Sequence, residues 1–427
     1  MVKKVTGIAL ILFSSIMAHA QEARWFKHQI ATLCSPAMGG RGYVDKGREK
    51  AANYIQRKFV EMGLQPAGPD SAWQQSYSFP VNTFPDRVLL SVNGKAIVPG
   101  EEFLVDAASN SFKTEKLKVS RTDLTKINDR AGWDGQKIKF TQQERAWLLK
   151  GLDSVARRLS VRTSALLHEL PKGAYLLPVS GKMNWTVATD TISATVFYVQ
   201  DSAMKRKPKK VAIDVHAKFE RSMKSSNVIG KVTGTAVPDS FIVISAHYDH
   251  LGKMGDFAVF PGASDNASGT AMLLYLAGYF AAHPQRYSIV FIAFSGEEAG
   301  LKGSKYFTEH PALPMEQMKF LVNLDIMGDA SNGVTVVNAT EYPKAFSLLE
   351  RINKKKDYLP EIRSRGKAAN SDHYFFSEAG VPAFFLYSNG GAGFYHDVFD
   401  KPATLPLTNI PNVAKLLIDF IGEVQGL

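Results

Sequence analysis

Five short stretches of the 427-residue sequence set imidazole or carboxylate groups beside apolar runs. "SAHYDHLG" places His247, Asp249 and His250 directly after "FIVI". "PGASDNASGTAMLL" holds Asp265 just ahead of a helical pattern, and "IVFIAFSGEEAGLKGS" runs an apolar wall into Glu297 and Glu298. "FLVNLDIMGD" carries Asp325, and "GAGFYHDVFDKPATL" puts His396 in a glycine-rich loop. Taken singly, each has a bland reading. A strand-end histidine is commonly structural, and an aspartate before a helix is commonly a cap. Taken together, strand ends that deliver acid and imidazole to one edge require a shared counter-charge, since a buried carboxylate without a partner is costly. A divalent metal supplies it. Carboxylate and imidazole without thiolate suit zinc in an open catalytic site, and a bridging carboxylate suits two such ions about 3.5–4 Å apart. Side chains of adjacent residues diverge at a strand-end turn. One of the paired glutamates can therefore bind metal while the other serves as general base toward water, with the cations setting the local field.

The elements that must position these groups are legible from about residue 225 onward. Apolar strands ("FIVISAHYDHLG", "YSIVFIAFSGEE", "MKFLVNLDIMG") alternate with helices expected near 268–283 and 302–309. Such alternation predicts an α/β fold with a largely parallel sheet covered by helices on both faces, and ligands bind outside the carboxyl edge of such a sheet. Residues 21–85 contain one helix, "DKGREKAANYIQRKFVEMG", with Asp45 as its expected cap, Ala51, Tyr54, Ile55, Phe59 and Met62 on one face, and Gly63 ending it. From 86 to 224 the character changes to strand-like pieces ("RVLLSVNG", "GAYLLPVSG", "ATVFYVQ") and one basic amphipathic stretch, 142–170, which reads as an inserted smaller domain.

Residues 1–20, "MVKKVTGIALILFSSIMAHA", have a basic start, a short apolar run and an A-x-A ending, the pattern of an export signal cleaved before Gln21. Loss of Lys3 and Lys4 takes the formal charge from +11 to +9. The basic residues are dispersed or form the brief cluster "KRKPKK", without aromatic interleaving, which argues against nucleic acid as a partner. The lone cysteine, Cys34, excludes an intrachain disulfide and reads as a structural thiol.

The ordered set H-x-D, S-D-N-x-S-G, G-E-E-x-G-L-x-G-S, N-x-D and Y-H-x-x-x-D resembles the zinc aminopeptidases of the co-catalytic exopeptidase clan, which also contains transferrin-receptor-like and glutamate-carboxypeptidase-like proteins. The resemblance is strong over 225–400 and weaker over 35–80, through "GRGYVDKGREKAANYIQRKFVEMGLQPAG". It implies a mixed, largely parallel sheet sandwiched by helices, two zinc ions per chain and peptide substrates. It further implies that His247 and Asp325 bind one ion, Glu298 and His396 the other, and that Asp265 bridges. Glu297 would be the general base, Asp249 would orient His247, and Tyr395 would steady the oxyanion; His250 has no assigned role. The family also accepts a protease-associated domain where 86–224 stands, although this sequence fits that domain poorly. An exported exopeptidase with no membrane span after signal cleavage is the leading reading. A glutaminyl cyclase on the same fold, which often has Trp where this chain has Tyr395, and a non-catalytic receptor-like binding protein are the alternatives.

Overall fold

The computed structural model describes residues 21–141 and 144–427, so residues 1–20, expected from the sequence to be an export signal, lie outside the described residues. At its centre is strand Val237–His247, whose Phe241-to-His247 half is buried throughout. A β-branched run between two parallel neighbours is expected to read this way. Tyr287–Phe294 lies parallel on one side, with His247 opposite Phe294, and Met318–Leu324 lies parallel on the other. Ala383–Ser388 extends the parallel run beyond Met318–Leu324. The chain thus moves first to one side of the central strand and then to the other. A crevice forms beyond the carboxyl ends at such a switch in strand order. Antiparallel partners make the nine-stranded sheet mixed: Lys218–Val232 pairs with Tyr287–Phe294 and with Gln74–Thr83, and Val334–Val337 pairs with Ala383–Ser388.

Helices cover both faces, as the alternation predicts. Gly269–Ala282 and Lys302–Glu309 fall where the sequence puts them. The first is apolar nearly all round, and burying Leu273, Leu274 and Leu276 stabilises the fold by about 1.5–3 kcal/mol each. It shares one core with Gly47–Glu61, Pro343–Lys356 and Ile410–Val424. On the opposite face Phe307 stacks on Phe376 beneath Phe294.

Gly47–Glu61 buries Ala51, Tyr54, Ile55 and Phe59 as its spacing requires, and Gly63 (φ +79°) follows its end. Asp45, however, does not cap it. The N-cap position is Lys46, in the left-handed region, and the Asp45 carboxylate instead pairs with Lys253 at 2.7 Å. Cys34 is half-buried; burial pushes its thiol up to about 11, despite the nearby Arg41 guanidinium, consistent with a structural group.

Residues 88–215 form a second, eight-stranded sheet with apolar cores around Phe103, Phe197 and Trp185 and around Trp133, Phe140 and Tyr175. Phe112–Asp123, Ala146–Lys150, Ala174–Val179 and Thr195–Gln200 run parallel within it. The basic 142–170 stretch is not one element. Gly151 (φ +85°) separates strand Ala146–Lys150 from helices Leu152–Arg158 and Thr163–His168. "KRKPKK" is an exposed lead-in to strand Lys210–Val215, apart from buried Pro208.

Candidate metal centre

Because the central strands are parallel, their carboxyl ends deliver His247, the 296–298 turn, Asp325 and the loop after Ser388 to one edge. His247 Nε2 lies 3.3 Å from Asp265 Oδ1 and 3.3 Å from Asp325 Oδ1. His396 Nε2 lies 3.2 Å from Asp265 Oδ2 and 3.0 Å from Glu298 Oε2. Asp265 therefore offers one oxygen to each of two imidazole–carboxylate groups. The structure thus brings all five expected ligand residues together, each buried or half-buried.

The backbone that aims Asp265 is held from two distant places. The Asp400 carboxylate accepts the Ser264 and Asp265 amides at 2.8 and 3.1 Å. Arg41, fully buried, donates to the carbonyls of Tyr248 (2.8 Å), Pro261 (2.7 Å) and Gly262 (2.7 Å), tying the central strand end to this turn. Gly262 has φ +60°, and a Cβ there would lie 2.2 Å from the Asp265 carbonyl oxygen and 2.4 Å from the His250 ring. Only glycine fits.

The paired glutamates diverge. Gly296 (φ +69°) turns the chain out of its strand, and Glu297 and Gly296 carbonyls then accept the Gly300 and Lys302 amides. Glu298 splits its carboxylate, giving Oε1 to His250 Nδ1 at 2.6 Å and Oε2 to His396. Glu297 lies instead with His247 and Asp325, their ligand-type atoms all within 4.8 Å of one another. His250, Asp265 and Glu298 form a second such group. His250 thus has a role that the sequence does not reveal. Its completely buried ring, wedged against Gly262, orients Glu298.

Asp249 meets His247 through both its backbone and its side chain. His247 Nδ1 faces the Asp249 backbone carbonyl at 3.2 Å, while Oδ1 is 3.8 Å away. The carboxylate accepts the Tyr43 hydroxyl at 3.0 Å and the Glu297 amide at 3.3 Å, so it braces the turn that carries Glu297 as well. Tyr395 stacks its ring on that of His396, with centroids 3.8 Å apart, and is 45% exposed, as a residue at the mouth of the site would be. Asp325 Oδ2 accepts the Ser371 hydroxyl at 2.9 Å, and Ser371 also receives the Asn323 amide.

Asp249, Asp265, Glu297, Glu298, Asp325 and Asp372 converge here, and the ion pairs these carboxylates make are with His247, His250 and His396. Burial opposes charge on His396, but Glu298 and Asp265 outweigh it and push the imidazole up to about 11. His247 is likewise held well above its usual range, Asp325 and Glu297 overcoming burial. Burial, with Glu298 and Asp325 nearby, drives the Glu297 carboxyl well upward, and burial drives Asp372 up to about 7. Protons are drawn to the imidazoles because the cluster lacks positive charge. Oxygen and imidazole donors around such a deficit fit divalent zinc.

Of the groups that position this site, Asp400 stands in the quoted Y-H-x-x-x-D pattern and was readable there. Arg41, Tyr43 and Ser371 had no comparable signal, because they act on segments far away in sequence.

The chain is similar to known proteins in sequence and in fold. Residues 227–421 match the model of peptidase family M28. A probable zinc metalloprotease of Pyrenophora tritici-repentis is 36% identical over 110 residues, 25% of this chain and 22% of that protein. Aminopeptidase YwaD of Bacillus subtilis is 31% identical over 175 residues, 37% of this chain and 34% of the relative. The chain thus matches well under half the length of either. A zinc aminopeptidase structure from Bacillus subtilis superposes with a TM-score of 0.68 at 19% identity, covering 94% of both chains, so the α/β fold is shared. The motifs, the sheet edge they occupy and the match over 227–421 together make this part of the chain similar to peptidase family M28.

Proposed function

We propose that the protein is an exported zinc metallo-aminopeptidase that removes N-terminal residues from peptides, with two zinc ions per chain. The observation that carries this reading is Asp265, whose two oxygens face two separate imidazole–carboxylate groups. His247 and Asp325 would hold one ion, Glu298 and His396 the other, with Asp265 shared. When bound, zinc supplies Lewis acidity and lowers the pKa of water toward ~7.

The chain's own groups do the rest. Glu297 stands beside His247 and Asp325 but makes no hydrogen bond through its carboxylate among the described residues, so its oxygen is free to take a proton from the attacking water and return it to the leaving amine. The Asp249 contact to its amide keeps it in place. Tyr395, whose ring stacks on that of His396, would donate toward the oxyanion of the tetrahedral intermediate. Carboxylates near the entrance would pair with the free amine of a peptide.

A panel of aminoacyl and N-terminal glutaminyl substrates, assayed with and without chelator, tests this. Chelator-sensitive release of N-terminal residues is expected. Cyclisation of N-terminal glutamine without peptide hydrolysis would overturn the reading in favour of a cyclase, and binding without turnover would favour a receptor-like protein.

A further inference from the structure

One segment of the second sheet reaches the candidate centre through hydrogen bonds to the His396 loop. Parallel strands need a crossover, usually helical. Within this sheet, the crossover from Phe112–Asp123 to Ala146–Lys150 holds helix Arg130–Thr141, and the next holds Leu152–Arg158 and Thr163–His168. The third, residues 180–194 between Ala174–Val179 and Thr195–Gln200, contains no helix. Irregular connections of this length are uncommon in compact folds and usually have a function.

This segment runs to the His396 loop. The Trp185 carbonyl faces His396 Nδ1 at 2.9 Å, and the Trp185 amide donates to the His396 carbonyl at 3.1 Å. Lys182 Nζ donates to the carbonyls of Gly393 and Tyr395 on the same loop. Trp185 itself is fixed. Its indole stacks on Phe260 at 4.8 Å and donates Nε1–H to the Val105 carbonyl at 2.8 Å, and it is 6% exposed.

We infer that the 180–187 strap of the second sheet positions His396: the Trp185 carbonyl holds its Nδ1–H and thereby turns Nε2 toward Asp265 and Glu298, while Lys182 and the Trp185 amide hold the loop backbone. Trp185 and Lys182 are positioning residues, since neither reaches the reacting atoms. A ring N–H held by a carbonyl fixes the tautomer and orientation of a metal-binding histidine, and loss of such partners typically weakens metal affinity about 10–100-fold. His396 has φ +55°, so its loop occupies a conformation that needs outside support. The second sheet is on this account part of the metal site rather than an appendage beside it.

The inference rests on the two-zinc reading, and competition for zinc with a chromophoric chelator separates the two. Wild-type, Lys182→Met and Trp185→Ala proteins are titrated, each also in a His396→Ala background. The strap predicts that one of two zinc equivalents weakens about 10-fold or more in each single variant while the other is unchanged. It also predicts that neither change further weakens the equivalent left in His396→Ala. Lys182→Arg, which can still donate to both carbonyls, should retain affinity. Lys182 is exposed, so Lys182→Met keeps the test valid should Trp185→Ala fail to fold. Unchanged affinity at both equivalents in folded Lys182→Met, or equal weakening of both, overturns the inference. Fewer than two equivalents in the wild type overturns the parent reading, and this inference with it.

Discussion

At the scale of single residues, the adjacent glutamates are separated by what each touches. Glu298 is clamped between His250 and His396, whereas Glu297 faces His247 and Asp325. Glu297→Gln keeps the shape but removes the base. Zinc content and fold should persist while turnover falls about 10²–10⁴-fold. Glu298→Gln replaces a carboxylate with a poorer zinc donor, so this variant should lose zinc first and regain part of its activity when zinc is added. Zinc analysis beside steady-state kinetics checks both, and the opposite pattern would reverse the two roles. Asp400→Ala addresses a buried residue whose carboxylate holds the backbone of the Asp265 turn. Without its carboxylate the Ser264 and Asp265 amides lose their acceptor, the bridging turn loosens, and zinc affinity should drop about 10–100-fold, measurable by chelator competition. The candidate ligand residues were legible in the sequence because His247, Glu298 and Asp325 stand at or just beyond the ends of apolar runs, while Asp265 and His396 stand in glycine-containing stretches with few other polar groups of their kind. Arg41, Tyr43 and Ser371 were not legible in that way. Their partners are backbone groups or side chains on other segments.

At the scale of elements, strands and helices of the central sheet could be read where periodicity and burial agree, as in Val237–His247, Gly269–Ala282 and Lys302–Glu309. Reading fails where a local rule meets a stronger tertiary partner. Asp45 has cap chemistry, yet Lys253 claims its carboxylate. The 142–170 stretch is basic and amphipathic as a whole, yet Gly151 breaks it and its first part joins a sheet. In the second sheet, helix Arg130–Thr141 is anchored through Glu169, which accepts from Arg130 (2.7 Å), Lys137 (2.7 Å) and the buried Trp133 indole (3.0 Å). Burial opposes the Glu169 charge, but these hydrogen bonds outweigh it and bring the carboxyl down to about 2. A depressed carboxylate stabilises the fold above its unfolded pKa of about 4.3, and the contribution fades as pH falls toward the folded value. Because Arg130 and Glu169 are partly exposed, Glu169→Gln should cost only about 1 kcal/mol at neutral pH. Denaturant melts should show that gap narrowing as pH falls from about 5 toward 3. A gap independent of pH would mean that packing, not charge, carries the effect.

At the scale of the whole molecule, the second sheet and the central sheet share packing. Leu251, Met254, Ala258, Phe260 and Val398 belong to the same apolar cluster as Phe103, Trp185 and Phe197. The sequence shows 86–224 only as a change of character. It gives no sign that part of this region touches His396, because the 180–194 crossover has neither charge pattern nor periodicity to announce it. If export holds, intact-mass analysis of protein recovered outside the cytoplasm should place the mature N-terminus at Gln21; a mass retaining residues 1–20 would sink that proposal. The central claim, that Asp265 is shared between two metal positions, is tested most directly by elemental analysis of the purified wild-type protein. Two equivalents of zinc per chain is the predicted result. A reproducible single equivalent, with no second and weaker site on titration, would contradict it.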